Sequence, residues 1–443
     1  MSVKRRLRSQ VLSALLGRRM LRLQRMFQEL RRRLLRRPHV VSVFLQLDDP
    51  YSYLLAHYLP SLAEGYDIEL RLHLSEARGG GYRPEPEMLA EYAVMDCTRL
   101  APELGIPLLD KGSTPPVEYR RSMLEAIANL AGTSDFEGEL LHALAVYWRG
   151  DSEAASRLGA TDTGRAEIVI NRSKKLQRRL GHYNSATVHY AGEWYSGVDR
   201  LHYLLERLDD LGAARDTSPA RRLVSLRQST QVTLPIAPPA AARDLPPLEL
   251  FHSIRSPYSY LALQRTFDIA DAFGLQLKLR PVLPMVMRGM QVPKQKLLYI
   301  VRDAAREAER RGIAFGKFAD PVGAGTERCL AVYAYAESER RGRDFLLNAG
   351  EAVWSQAVDL ATDAGMRKVT GRTGLFWPDV LAAMESDAWR EPVEANRESM
   401  MASGSWGVPT LRMGDFVAWG QDRDWLLVRH IEELCDSGDG ILV

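Results

Sequence analysis

Cysteine is nearly missing from this chain: three residues in 443, at Cys97, Cys329 and Cys435. No two stand at Cys-x-x-Cys spacing, and none falls at zinc-ligand spacing from histidine. A dithiol redox loop, a disulfide framework and a metal site are therefore not expected. Such sparse thiols suit a reducing compartment, so a cytoplasmic location is expected. Long apolar runs are missing too. None approaches the roughly eighteen residues that a membrane span needs, and arginines break up the N-terminus where a secretory signal would carry its apolar core. Low-complexity tracts are lacking as well. What remains is ordinary globular composition, 46% hydrophobic and 26% charged, in a chain long enough to expect two cores rather than one.

Acidic residues are scarce in one place only. Residues 1–38 hold thirteen Lys or Arg against the single acid Glu29, so this segment carries +12 and the other 405 residues −9. A mildly acidic body is a poor match for nucleic acid, and none is expected as a partner. Within the basic segment Leu12, Leu16, Met20, Leu23, Phe27, Leu30 and Leu34 recur at steps of four and three. That spacing predicts a helix with one apolar face, ended by Pro38. A basic amphipathic helix over 1–38 has two readings. Residues 1–37 lie on an anionic membrane or in a partner's groove, or the stripe docks on its own domain with arginines outside.

The rest of the chain repeats itself. Pro50-Tyr51-Ser52-Tyr53-Leu54 recurs as Pro257-Tyr258-Ser259-Tyr260-Leu261, 207 residues later. The same spacing pairs Tyr92, Val94, Asp96, Gly105 and Ile106 with Tyr299, Val301, Asp303, Gly312 and Ile313. Further on, Gly197, Asp199 and Arg200 match Gly420, Asp422 and Arg423 at a spacing of 223, so the second copy holds about sixteen extra residues. The pattern reads as a tandem duplication. The first copy is placed at 39–213, a linker rich in Pro, Ala and Ser at 214–247, and the second copy at 248–443.

Each copy reads as strand, helix, strand, a long helical insertion, two strands and a closing helix. In the second copy Leu248–Ser253 is the first strand. A helix enters at Ser256 and ends near Gly274, and Leu275–Val282 alternates as a half-buried strand would. Val286 to about Arg390 is expected to be mostly helical, with breaks at Gly312, Pro321, Gly371 and Pro378. Gly414-Asp415 marks a hairpin turn, and a last helix begins near Asp422.

Ser256-Pro257-Tyr258-Ser259 has the frame of a Cys-Pro-Tyr-Cys loop with hydroxyls where sulfurs would stand. Together with Gly407-Val408-Pro409-Thr410 and Trp419-Gly420-Gln421-Asp422-Arg423, it resembles DsbA-like thioredoxin-fold proteins. The resemblance is to 2-hydroxychromene-2-carboxylate isomerases and kappa-class glutathione transferases, and it covers about Leu248 to Glu433. It implies an α/β fold of two thioredoxin-like domains, each with a helical insertion, and glutathione as cofactor. By motif, Ser256 becomes the catalytic hydroxyl that holds the glutathione sulfur. Val408 and Pro409 become a backbone ledge for the tripeptide, with Pro409 cis, and Gln421 and Asp422 face its γ-glutamyl end. The family's usual Gly-Asn after the Arg-Pro strand exit is absent, and Gln291, Lys294 or Lys296 stand in that region. Tyr258, Met285 and Trp419 are candidate pocket walls for a small electrophile.

The physical case for Ser256 is its place at a helix N-terminus. Unpaired N–H groups and the positive end of the dipole there stabilise a negative sulfur, whether built in or borrowed. The competing reading makes Ser256 only the cap of a helix that Pro257 starts. Asp422 is equally suited to capping, and His252 reads as a packed residue rather than a base. In the first copy Asp49 replaces the serine and Ala186 the proline, so that copy is expected to be non-catalytic. Two functions follow: a glutathione-dependent isomerase or transferase working through the second copy, or a non-enzymatic thioredoxin-fold binding or scaffold protein whose basic helix does the work.

Overall fold

The computed structural model describes residues 18–107, 117–215 and 232–439. These fall into two units, the first of Arg22–Gln231 and the second of Val232–Val443 together with the described residues before Arg22.

Helix α1 (Arg18–Leu34) lies in the first unit from Arg22 on and precedes β1 (His39–Leu45), α2 (Pro50–Ala56), α3 (Leu59–Gly65) and β2 (Ile68–Leu74). Five helices form the insertion: α4 (Pro86–Glu103), α5 (Val117–Asn129), α6 (Phe136–Arg149), α7 (Ser152–Leu158) and α8 (Arg165–Leu180). The hairpin β3 (Thr187–Tyr190) and β4 (Glu193–Ser196) and the closing helix α9 (Leu201–Asp210) complete it. The sheet order is β2-β1-β3-β4, with β1 and β2 parallel and the other pairs antiparallel.

The second unit runs β5 (Leu248–His252), α10 (Pro257–Phe273), β6 (Leu277–Pro281), then α11 (Lys294–Arg310), α12 (Ala324–Ser338), α13 (Gly342–Trp354), α14 (Asp363–Thr373), α15 (Trp377–Glu385) and α16 (Arg390–Ala402). It ends with β7 (Thr410–Met413), β8 (Phe416–Trp419) and α17 (Asp424–Asp439). Its order, β6-β5-β7-β8, repeats that of the first sheet. Each unit thus has the α/β layout expected of a thioredoxin-like domain.

Central strand β5 is buried along its whole length, which is why it reads as a compact apolar run. Its one acid, Glu249, accepts hydrogen bonds from Arg280 at 2.7 and 2.9 Å and pairs across the ladder with Arg412. Arg280 thus ties β6 to β5 through Glu249. Helix α10 stops where Gly274 adopts φ 67°, a conformation that favours a residue without Cβ.

Four side-chain hydrogen bonds recur in both units at nearly constant spacing. Tyr51 donates to Asp96 (2.7 Å) as Tyr258 does to Asp303 (2.9 Å). The amides of Gln46 and Ser253 donate to the Ser52 and Ser259 hydroxyls. Tyr53 and Tyr260 reach the carbonyls of Pro107 and Ala314. The indoles of Trp148 and Trp354 donate to the carbonyls of Leu47 and Ile254.

Several sequence expectations need correction. The stretch 214–247, expected as a linker, carries structure at both ends. Ala214 bridges Tyr66, while Ala240–Asp244 wind into a 3-10 turn that packs on α17 and buries Ala242. Gly371 does not break a helix but lies inside α14. Pro378 starts α15 rather than ending one, because its missing N–H costs nothing in a first turn. Strand β6 shows no alternating burial. The last helix begins at Asp424, two residues later than expected. Helix α1 ends at Leu34, and from Leu23 on its apolar stripe is not docked on the fold: Leu23, Met26, Phe27, Leu30 and Leu34 are all more than half exposed, while Met20 is partly covered. Leu12 and Leu16 lie outside the described residues.

Candidate functional site

Ser256 caps α10 from an extended backbone, φ −88° and ψ 117°. Its Oγ accepts the Ser259 N–H at 3.1 Å, and its own proton goes to the carbonyl of Val408 at 3.2 Å. Serine followed by proline is the local reason: the side chain satisfies one orphan donor of the helix, and proline at N1 supplies none to satisfy. The bond to Val408 spans 152 residues of sequence. It joins the start of the first helix to the loop before β7, where the Val408–Pro409 peptide is cis. The Val408 side chain packs against buried Phe251, Val282 and Met400. The Pro409 carbonyl accepts from Gly420 N (3.0 Å), which brings the Gly420-Gln421-Asp422 segment alongside.

Beside this junction lies an aromatic and cationic wall. A Cβ on Gly407 would come 2.2 Å from the ring of Trp419, so only glycine lets that indole lie on the loop. Trp419 meets Trp406 edge-on, ring centres 4.8 Å apart. The Lys296 ammonium stands 5.5 Å from the Trp406 ring centre, and Arg288 donates to the Trp406 carbonyl at 3.1 Å. Burial lowers the Lys296 pKa to about 8, since removing water disfavours the charged form. Met285 opens the 3-10 turn that carries Arg288 and is half-buried.

The expected site residues thus divide. Ser256, Val408, Pro409, Trp419 and Lys296 are linked by a continuous chain of contacts, and Met285 shares Arg288's short turn. Gln291 is exposed, and no described contact ties it to Ser256 or Val408. Gln421 is not a surface contact: it is buried, its Nε2 donates to Glu307 at 3.0 Å and its backbone carbonyl accepts from Arg311. Its Oε1 has no hydrogen-bond partner among the described residues. A side chain two positions from a strand's end turns inward here to donate to the buried Glu307 carboxylate. Asp422 stays partly exposed with Oδ1 3.8 Å from Arg423. Tyr258 is a packing residue, its ring against Leu261, Ala304 and Ala308 and its hydroxyl on Asp303, which Arg306 also pairs.

Three residues were missed: Arg288, Trp406 and Glu307. Trp406 could have been found, since it directly precedes the Gly-Val-Pro motif; Arg288 and Glu307 carry no sequence signal. His252 is buried against Tyr333, its Nε2 has no partner among the described residues, and burial pushes its pKa down to about 3. It stays neutral and packed. All three cysteines are buried.

In the first unit the corresponding position is closed by chemistry of another kind. Asp49 is buried, accepts from Tyr51 N and from the Ser52 hydroxyl (2.8 Å), and burial raises its pKa. Among the described residues no group of three or more His, Cys, Asp or Glu could hold a metal ion, and no helix is long and apolar enough to cross a membrane.

Residues 247–432 match the DSBA-like thioredoxin domain family. Relatives with curated names include two 2-hydroxychromene-2-carboxylate isomerases. That of Pseudomonas putida is 24% identical over 196 residues, 42% of this chain and 95% of its own. That of Sphingobium xenophagum is 22% identical over 184 residues, 40% of this chain and 93% of its own. A solved 2-hydroxychromene-2-carboxylate isomerase, at 24% identity, gives a TM-score of 0.39 over 44% of this chain and 99% of its own. A probable DsbA oxidoreductase from Streptomyces coelicolor, at 15% identity, gives 0.35 over 43% and 89%. The C-terminal half of the chain is a DSBA-like thioredoxin domain.

Proposed function

We propose that the C-terminal domain is a glutathione-dependent isomerase or transferase acting on a small conjugated or aromatic electrophile, with Ser256 holding the glutathione sulfur. One observation carries this reading. A loop without sulfur places a lone hydroxyl at a helix N-terminus, bonded to the carbonyl of Val408 beside a cis peptide. Homology to proteins named as isomerases supports the reaction class.

The hydroxyl has one proton, and the Val408 carbonyl holds it. Turning it to a thiolate gives up a bond worth about 1 kcal/mol, against roughly 2–3 kcal/mol from the dipole and a charge-assisted bond. The net, about 1–2 kcal/mol, lowers a thiol pKa of about 8.5 by roughly one. A useful fraction is then ionised at neutral pH. The thiolate adds to the conjugated double bond, forming a C–S bond as the electron pair moves into the conjugated acceptor. Rotation follows, and reversal of the electron flow expels the thiolate. No net redox change occurs. Val408 and Pro409 offer backbone to the tripeptide, Lys296 and Asp422 meet its charged ends, Trp419 and Met285 line the electrophile's side, and Gln421 supports from beneath.

Two sheets of one order and four recurring hydrogen bonds support a tandem duplication. The first copy, with Asp49 in place of serine, would repel a thiolate and serves as a partner domain. The alternative of a non-enzymatic thioredoxin-fold binding or scaffold protein is favoured by one fact: both bonds of the Ser256 hydroxyl are already made within the chain. Calorimetric titration with glutathione separates the two. Saturable binding that weakens about tenfold in Ser256→Ala supports the enzyme, and no binding by the wild type sinks it.

A further inference from the structure

We propose that α1 is an interfacial helix that docks the protein on an anionic phospholipid bilayer through its outward apolar stripe. Leu23, Phe27, Leu30 and Leu34 recur at steps of four, three and four, with Met26 beside them, and they are 57–74% exposed. Soluble helices bury such a stripe; this one turns it to solvent.

The opposite side fixes that orientation. Arg25 makes a bidentate pair with Glu193 of β4, at 2.7 and 2.8 Å, and Glu193 is held again by buried Arg207. Gln28 lies on the same side, near Gly192 of the β3–β4 turn. The helix is therefore anchored by its polar face. At 1.5 Å per residue its 17 residues form a rod of about 26 Å.

Charge decides the occupant. At 100° per residue Arg22 and Arg33 fall on one flank of the stripe and Arg31 on the other, with Arg36 and Arg37 just beyond the helix; all five are exposed. The one acid of the segment, Glu29, is spent on Arg32 and Arg33, which hold its pKa down to about 2. A flat anionic surface meets cations on both flanks at one depth while the stripe enters the acyl boundary, and arginine stems reach back to the headgroups. A protein groove would need acidic rims on both sides of an apolar floor. An anionic bilayer supplies both along the whole length of the helix.

The test is co-sedimentation of the full chain with vesicles of phosphatidylcholine alone and of an equimolar phosphatidylcholine–phosphatidylglycerol mixture, at low and high salt. Binding to the mixed vesicles, falling with salt, is expected. Phe27→Ser with Leu30→Ser should weaken it on the order of 100-fold, and Arg22→Gln with Arg31→Gln by roughly tenfold or more. These side chains are exposed, so circular dichroism and thermal melting of the variants should match the wild type. No binding to mixed vesicles at low salt overturns the proposal, as does equal binding to pure phosphatidylcholine. So does a concentration-dependent dimer in sedimentation velocity that Phe27→Ser abolishes, which would assign the stripe to a second copy.

Discussion

Replacing Ser256 by alanine removes two bonds at once, and their sizes can be worked from the geometry. Loss of the acceptor for Ser259 N (3.1 Å) is loss of an N-cap, about 1 kcal/mol within a range of roughly 0.5–2. Loss of the donor to the Val408 carbonyl (3.2 Å) adds about 1 kcal/mol, because that oxygen is half-covered and must find water instead. The sum, about 2 kcal/mol, lowers the melting temperature of a unit this size by roughly 4–8 °C. The two units can unfold separately, so amide hydrogen exchange is the better assay: the first turn of α10 should lose protection by about 2 kcal/mol without ligand. Ser256→Asp sharpens the test. A carboxylate still caps, as Asp49 does in the first unit, but it has no proton for Val408. About half the stability should return while glutathione binding does not. Ser256→Thr keeps both groups and should restore both. If alanine costs less than about 0.5 kcal/mol, neither bond is a meaningful part of the fold, and the reasoning about what turning the hydroxyl costs fails with it.

Burial holds the His252 pKa near 3, against about 6.5 in an unfolded chain. The unfolded state therefore binds the extra proton first: stability is full above about pH 6.5 and falls as pH drops toward 3, by about 2 kcal/mol at pH 5. Urea denaturation at pH 7.5 and pH 5 should show this loss in the wild type and a smaller one in His252→Phe; equal losses would show the ring titrates freely. Gly407→Ala puts a methyl 2.2 Å from the Trp419 ring and should cost about 2 kcal/mol or more. It should also alter the near-ultraviolet dichroism of the Trp406–Trp419 pair, whereas an unchanged spectrum and stability would show that the indole has room to move.

The readable parts of this chain were those whose physics is local. Period-four spacing announced α1, Gly414-Asp415 the hairpin, Gly274 the end of α10, and Ser256-Pro257 a capped helix start; each needs only neighbours within a turn or two. The recurrence at 207 residues foretold two sheets with one strand order, because equal patterns bury equal faces. Where a side chain points was another matter. Gln421 turns inward to donate to buried Glu307, 114 residues away. Lys296 lies on Trp406 because α11 and the loop before β7 meet. The stripe of α1 faces out because Arg25 finds Glu193 across 168 residues. Such contacts depend on which distant surfaces the fold brings together, and no spacing along a single chain encodes that.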